Sequence, residues 1–431
     1  MTRAGGNAGA AVLAVVLGLA AGRAAATNGF NLIAYGVEAT AMGGADIAVA
    51  RDSWALTSNP AGLSQIDTHA LDMAAVVLYA TDITHRDSYG NDAGVMNEWI
   101  PAGQFGYAQP LGDGRLTAGI GLTGQGGAGN DFQRINTAFG TRDDLGINMR
   151  IARFSAGAAW QATDALSLGA SLLLTYADLS QKVFPDTSFF NAANPAASFY
   201  GIRVSDLRAT GPAVKLGAMV RLAPSVQLGA AYTSRTRLTF DRGHALIDMS
   251  ALGLGKVRYA DVRATGIDQP QEAGVGLGWQ ATPRLLFALE LGWMDWSRAV
   301  KRSTLTAAQP DNALAPTGVE IGLDLGWRDQ YIAALGAAWD PRPDTRLWAG
   351  FNYANSPVGG ASVHPLLALH ARRHITLGLQ RGTERGWRFG AALEWQLPEK
   401  LRYTNAALPF GTVTESKLEV VLLHLLAARR W

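Results

Sequence analysis

Few groups of residues in this chain have the types and spacing that chemistry needs. Gly124-x-Gly126-x-x-Gly129 has the spacing of a dinucleotide-binding glycine loop. Such a loop must follow a buried strand and open a helix, so that the helix N-terminus meets the pyrophosphate. Here the string follows an alternating strand pattern and leads into Asn130-Asp131-Phe132, so a flexible loop is the better reading. His364, His370 and His374 form a second group. A spacing of four would place His370 and His374 on one helix face, as zinc ligands often are. The gap of six before them and the flanking Arg372-Arg373 argue instead for a loop entering a strand. There is no Gly-x-Ser-x-Gly elbow and no Gly-Lys-Ser/Thr phosphate loop. No catalytic residue, metal or cofactor is therefore expected, and the chain reads as a non-enzyme. A serine–histidine pair converging across strands, as a membrane hydrolase would need, is not addressed by spacing.

The elements that would position any site come from pattern. Of 431 residues, 17% are charged and 50 are glycine; a soluble domain typically has about 25% charged and roughly 7% glycine. There is no cysteine, hence no disulfide scaffold. Residues 1–26 read as a secretory signal: Arg3, an apolar run over 10–21, then Ala24-Ala25-Ala26 before Thr27. Removing it takes Arg3 and Arg23 from the 37 basic residues and leaves 35, against 35 acidic. Such a chain has no basic field for nucleic acid.

From residue 69 to 431 one pattern recurs. Trp387, Phe389, Ala391, Leu393 and Trp395 alternate with Arg388, Gly390, Ala392, Glu394 and Gln396, the period of a strand with two unlike faces. Fourteen such segments are expected, near 69–79, 101–111, 114–124, 148–161, 164–178, 208–222, 225–241, 269–281, 284–297, 329–340, 344–354, 371–381, 385–397 and 416–428. Tight turns such as Leu111-Gly112-Asp113-Gly114 and Ala281-Thr282-Pro283 alternate strictly with long connections, at 80–100, 125–147, 179–207, 242–268, 298–328, 355–370 and 398–415. Outer-membrane barrels have that asymmetry; a soluble sandwich does not need it. The fold class is thus all-β, a transmembrane 14-stranded antiparallel barrel. Its outer face should be apolar, with girdles from Tyr79, Trp160, Tyr176, Tyr232, Trp279, Trp293, Trp339, Tyr353, Trp387 and Trp395. Lys215, Arg221, Glu272, Glu290, Arg346, Arg388 and Glu394 should face the lumen and pair with one another. Residues 27–68 do not alternate. They are too few for an independent core and too apolar for a free arm, so a plug inside the lumen fits them best.

That segment also carries a resemblance. Asn28-Gly29-Phe30, Gly43-Gly44-Ala45 with Ala48, Arg51-Asp52 and Ser58-Asn59-Pro60-Ala61-Gly62-Leu63 resemble the hatch of the FadL/TodX family of outer-membrane transport proteins. Trp293-Met294-Asp295-Trp296-Ser297, Gly326-Trp327-Arg328-Asp329 with Ala334-Leu335-Gly336, Asn355-Ser356-Pro357-Val358 and the 124–129 glycine string continue it in order. The resemblance implies a 14-stranded barrel in the bacterial outer membrane, closed by an N-terminal hatch with Asn59, Pro60 and Ala61 as its motif. It also implies passive uptake of long-chain fatty acids or uncharged hydrocarbons, entering from outer loops and leaving through the wall. Partners would be the hydrophobic ligand and membrane lipid, and the chain would be a monomer. Fatty-acid binders of the family place a basic residue just after a Tyr-Ala pair; here Tyr176-Ala177 precedes Asp178. A second basic position lies beyond the Trp-Ser pair, near Lys301 and Arg302. On this ground Phe30, Leu32, Tyr176, Asp178, Lys301 and Arg302 are candidates for the ligand passage, and the acid at 178 favours an uncharged ligand. The alternative is a structural or adhesive barrel that uses loops 179–207 and 298–328.

Overall fold

The computed structural model describes residues 28–405, 408–411 and 413–431; the expected signal, residues 1–26, lies outside the described residues. Fourteen antiparallel strands form a closed wall. In ring order they are β1 (Ala70–Asp87), β3 (Trp99–Leu111), β4 (Leu116–Ala128), β6 (Arg142–Gln161), β7 (Leu166–Phe189), β8 (Phe199–Ala223) and β9 (Val226–Thr233). The ring continues through β12 (Glu272–Thr282), β13 (Leu285–Met294), β16 (Gln330–Arg342), β17 (Thr345–Ala354), β18 (Arg373–Gly382), β19 (Trp387–Tyr403) and β20 (Thr414–Arg430). The last strand pairs back onto the first, Ala70 opposite Arg430 and Asp87 opposite Thr414, which closes the ring. Closure is what lipid demands, since no water is there to satisfy an open row of N–H and C=O groups. All fourteen alternating segments of the sequence correspond to wall strands in order.

The two faces divide as expected. On β7, Leu168, Leu172 and Leu174 are exposed while Ser171, Leu173 and Thr175 are buried. On β19, Phe389, Leu393 and Trp395 point outward, and Ala392, Glu394 and Gln396 point inward. Exposed aromatics gather at two levels. Trp160, Trp279 and Trp339 lie near the tight turns, and Tyr176, Tyr232, Tyr331 and Tyr353 lie toward the opposite end.

The long connections differ from expectation. Much of 80–100, 125–147, 179–207 and 398–415 is strand: β7 and β8 run for 24 and 25 residues, where about 9–11 span a bilayer. Residues 242–268 and 298–328 hold further strands. There β10 (Phe240–Asp248) pairs with both β8 and β11 (Lys256–Thr265), and β11 pairs with β14 (Arg302–Pro310), which pairs with β15 (Gly318–Asp324). The short β2 (Asp92–Gly94) and β5 (Asp131–Asn136) complete this outer collar. Beyond the membrane neither face meets lipid. The exposed side of a collar strand is therefore polar, as with Lys256, Arg258 and Arg263 on β11 against the buried Val257, Tyr259, Val262 and Ala264, and the sequence there reads as loop.

Residues 28–66 lie within the ring, almost wholly buried. They form a short helix, Val37–Ala41, and two 3-10 turns, Ser53–Leu56 and Pro60–Gln65. The segment touches the wall in several directions: Thr376 on β18 donates to the Ala41 carbonyl at 2.8 Å, and Ser53 donates to Asp72 on β1 at 2.8 Å. Two polar links hold it further. Glu290 on β13 accepts the backbone N–H groups of Asp46 and Ile47, both at 2.9 Å. Arg346 on β17 meets Glu38 at 3.5 Å. Glu272 also accepts from Asn31 at 3.3 Å, whereas Glu394 pairs with His374 on the wall; among the described residues no ion pair joins two of the seven named from sequence. Burial alone would raise the Glu38 carboxyl, but Arg51 and Arg346 hold it down at about 2.

Candidate functional site: the interior passage and a seam in the wall

The Asn59-Pro60-Ala61 motif serves two structural ends. Asn59 caps the 60–65 turn by accepting the Ala61 N–H at 3.2 Å, and Pro60 occupies the first turn, where a missing N–H costs nothing. The Asn59 amide also donates to the carbonyls of Ile47, at 2.7 Å, and of Ala218 on β8, at 3.1 Å. The wall makes room with Gly217: a β-carbon there would lie 2.0 Å from the Asn59 side-chain oxygen.

Above this, three quoted motifs converge. Phe30 is fully buried, stacks on Trp327 at 4.7 Å between centroids and meets the edge of Trp296 at 5.6 Å. Gly29 has a φ of 67°, and a β-carbon on it would strike the Trp296 ring at 2.6 Å; only glycine fits both constraints. Asp329 ties the two tryptophan motifs together, accepting the Trp293 indole N–H at 3.0 Å and the Ser297 backbone N–H at 3.1 Å. The Trp296 indole donates to Gln330 at 3.2 Å. Leu32 joins the same apolar cluster, which reaches Phe132, Met149, Leu207 and Phe240. Below the cluster a cavity of about 90 Å³ with mixed walls separates the N-terminal segment from the wall, lined in part by Asn31, Asp46, Lys215, Glu272 and Glu290 and in part by Leu32, Ile47 and Ile332. It offers room for a few waters and no apolar space of ligand size.

The glycine string is ordered. Pairing of β3 with β4 stops at Gln104 and Thr123. Beyond that point β3 continues along β1 as far as Trp99, and β4 continues along β6 as far as Ala128. Between them β4 turns inward. Gly126 and Gly127 take φ of 144° and 150°, which favour glycine. The freed backbone bonds the N-terminal segment instead: Leu32 donates to the Gln125 carbonyl at 3.0 Å, and Gly127 donates to the Phe30 carbonyl at 2.9 Å. The wall therefore has a seam, and its displaced edge is tied to the residues that carry Phe30.

Of the residues named from sequence, Phe30 and Leu32 sit together in the interior cluster. The other four do not join them. Tyr176 and Asp178 lie on the outer face of β7, where Asp178 pairs with Arg150 at 2.9 Å. Lys301 and Arg302 are exposed at the start of β14, and Arg302 pairs with Asp324 at 3.1 Å. An acid at 178 therefore says nothing about ligand charge. Trp296 and Trp327 belong to the interior cluster but are absent from that sequence set; the Trp-Ser and aromatic-x-Asp motifs are the signal that could have found them. The histidines separate: His374 points inward and pairs with Glu394 at 3.0 Å, while His364 and His370 are buried in the outer connection.

A closed lipid-facing wall around an internal segment defines an outer-membrane transport barrel. The chain matches the family model described as outer membrane protein transport protein (OMPP1/FadL/TodX) over residues 18–380, and it belongs to that family. This places it in the bacterial outer membrane. The fold is that of the Pseudomonas putida toluene transporter TodX, 20% identical, with a TM-score of 0.77 over 94% of this chain and 100% of that one. The Ralstonia pickettii toluene transporter TbuX (20% identity, TM-score 0.75, covering 93% and 99%) shares it. So does a Pseudomonas aeruginosa FadL homologue (16%, 0.71, covering 95% and 100%). A search of curated proteins finds no match.

Proposed function

We propose that the chain passes small uncharged hydrophobic molecules from the outer collar into the membrane, with residues 28–66 as a hatch and the β3–β4 seam as the lateral exit. The observation that carries this is the inward turn of β4 at Gly124–Gly127, which exchanges wall pairing for bonds to Phe30 and Leu32. A ligand that displaces Phe30 from Trp296 and Trp327 loosens the same backbone that borders the seam. Entry of ligand and opening of the exit are then one movement, driven only by the ligand gradient. An apolar interior around three aromatic rings supports hydrocarbon over carboxylate. The polar layer beneath it sets Asp46, Glu272 and Glu290 beside Lys215 and Arg153, so a carboxylate there would meet acids as well as bases. The toluene transporters that share the fold are consistent with this choice. A channel role also makes no use of a catalytic group.

The chain has no cysteine, so the seam can be closed by one introduced pair. A β-carbon at Gly124 would lie 3.2 Å from that of Ala102, close to the roughly 3.5–4.5 Å of a disulfide. The A102C/G124C protein, oxidised, should take up toluene no faster than cells lacking the protein, and a reductant should restore uptake. Unchanged uptake with the bridge formed would refute the lateral exit. Uptake of oleate but not toluene by the wild type would refute the ligand class.

A further inference from the structure

One cluster outside the lumen has no part in the passage. On the outer face of the wall a cleft of about 650 Å³ includes the exposed rings of Tyr331 and Tyr353 and carries Arg328, Arg372 and Lys400. Its two acids are already engaged. Glu399 is buried and takes Arg372 at 2.9 Å and Arg373 at 3.0 Å. Asp329 is held by Trp293 and Ser297. Arg328 finds a backbone carbonyl, that of Val358, at 3.4 Å, and Lys400 makes no ion pair among the described residues. An acid close to Lys400, Glu415, is itself held by Arg402, so Arg328 and Lys400 are the cations the cleft has to offer an anion.

A second feature says what kind of anion. On the same strands, further into the membrane, lies a lipid-facing groove of about 460 Å³ lined by Leu335, Ala337, Phe351, Phe287, Leu289 and Trp279. Leu335 is opposite Phe351, and Phe351 is two residues from Tyr353, about 7 Å along the strand. Exposed tyrosines mark the lipid–water interface. A charged cleft at that level, with an apolar groove starting two residues further down β17, suits a headgroup with its acyl chain. A soluble anion would use only the upper half. Guanidinium and phosphate match in charge and geometry.

We infer that this face holds one phosphorylated glycolipid of the outer leaflet, its phosphate between Arg328 and Lys400 and an acyl chain along Leu335 and Phe351. The test is native mass spectrometry of the full chain in mild detergent, titrated with bis-phosphorylated lipid A and with dephosphorylated lipid A. One phosphorylated lipid should remain bound. R328Q/K400Q should lower occupancy at least about tenfold, and R328K/K400R should keep it. All three proteins should show the same heat-modifiable migration, since both positions are exposed. Equal retention of the dephosphorylated lipid, unsaturable binding, or full occupancy in R328Q/K400Q would overturn the inference. Displacement by inorganic phosphate would do so too, by assigning the cleft to a free anion.

Discussion

Asn59 shows how one short polar side chain can fix both a turn and its docking. Its oxygen caps the 60–65 turn while its amide reaches the Ala218 carbonyl of the wall. Asn59→Ala removes these bonds and also takes the amide donor from the buried Ile47 carbonyl. The expected cost is about 1–3 kcal/mol. It should appear as faster hydrogen exchange across residues 47–62, with wall strands β6 to β8 unchanged; equal protection in the variant would show the latch to be idle. The motif was legible in sequence because proline and asparagine have few local uses. Phe30 and Leu32 were legible because the hatch motif places them. Tyr176 was legible as a girdle ring from its alternation, and the passage role given to it and to Asp178 came from the resemblance alone; on a barrel strand alternate residues turn to opposite faces, so a motif match carries a role only where it also keeps the face.

At the scale of elements, the wall was readable and the collar was not. Within the bilayer each strand must separate lipid from lumen, so residues such as Leu393 and Glu394 declare their faces one by one. Above it, β11 buries Val257, Tyr259, Val262 and Ala264 but turns Lys256, Arg258 and Arg263 to water, so the apolar outward face that marks a wall strand is missing. The outer connection 355–372 carries a testable consequence. His364 is buried there, its ring Nδ1 accepts the Leu366 N–H at 3.2 Å, and it lies edge-on to Phe410. Burial, with His85 nearby, lowers it from 6.5 to about 4. A histidine depressed in this way favours the folded connection in its neutral form. That contribution is complete above the ordinary value of 6.5, shrinks as the pH falls below it, and is gone once the pH has passed through 4. Its upper limit is about 3 kcal/mol. Exchange protection of residues 363–369 should therefore fall between these two values in the wild type, less in His364→Gln, and stay flat in His364→Gln/His370→Gln, because burial lowers His370 in the same connection too. A wild-type profile that is flat over the same range would remove His364 as the cause.

For the whole molecule, wall and interior segment are separable in what holds them. The wall closes on itself through the β1–β20 pairing, which needs nothing from residues 28–66. The segment is held by scattered links, Glu290 to Asp46 and Ile47, Arg346 to Glu38, Thr376 to Ala41, over a small-residue inner face. The high glycine content follows from this arrangement: positions such as Gly217 face the segment and must leave it room. Deleting residues 28–66 should accordingly leave a folded, heat-modifiable barrel with an open, polar-walled lumen. Cells carrying it should become sensitive to large hydrophilic antibiotics, planar bilayers should show a steady conductance, and selectivity for toluene over polar solutes should vanish. An adhesive barrel would instead keep its surface binding and gain the same leak. A deletion that gains no conductance, with toluene uptake unchanged, would mean that the segment neither closes the barrel nor routes the ligand, and the hatch reading would fall with it.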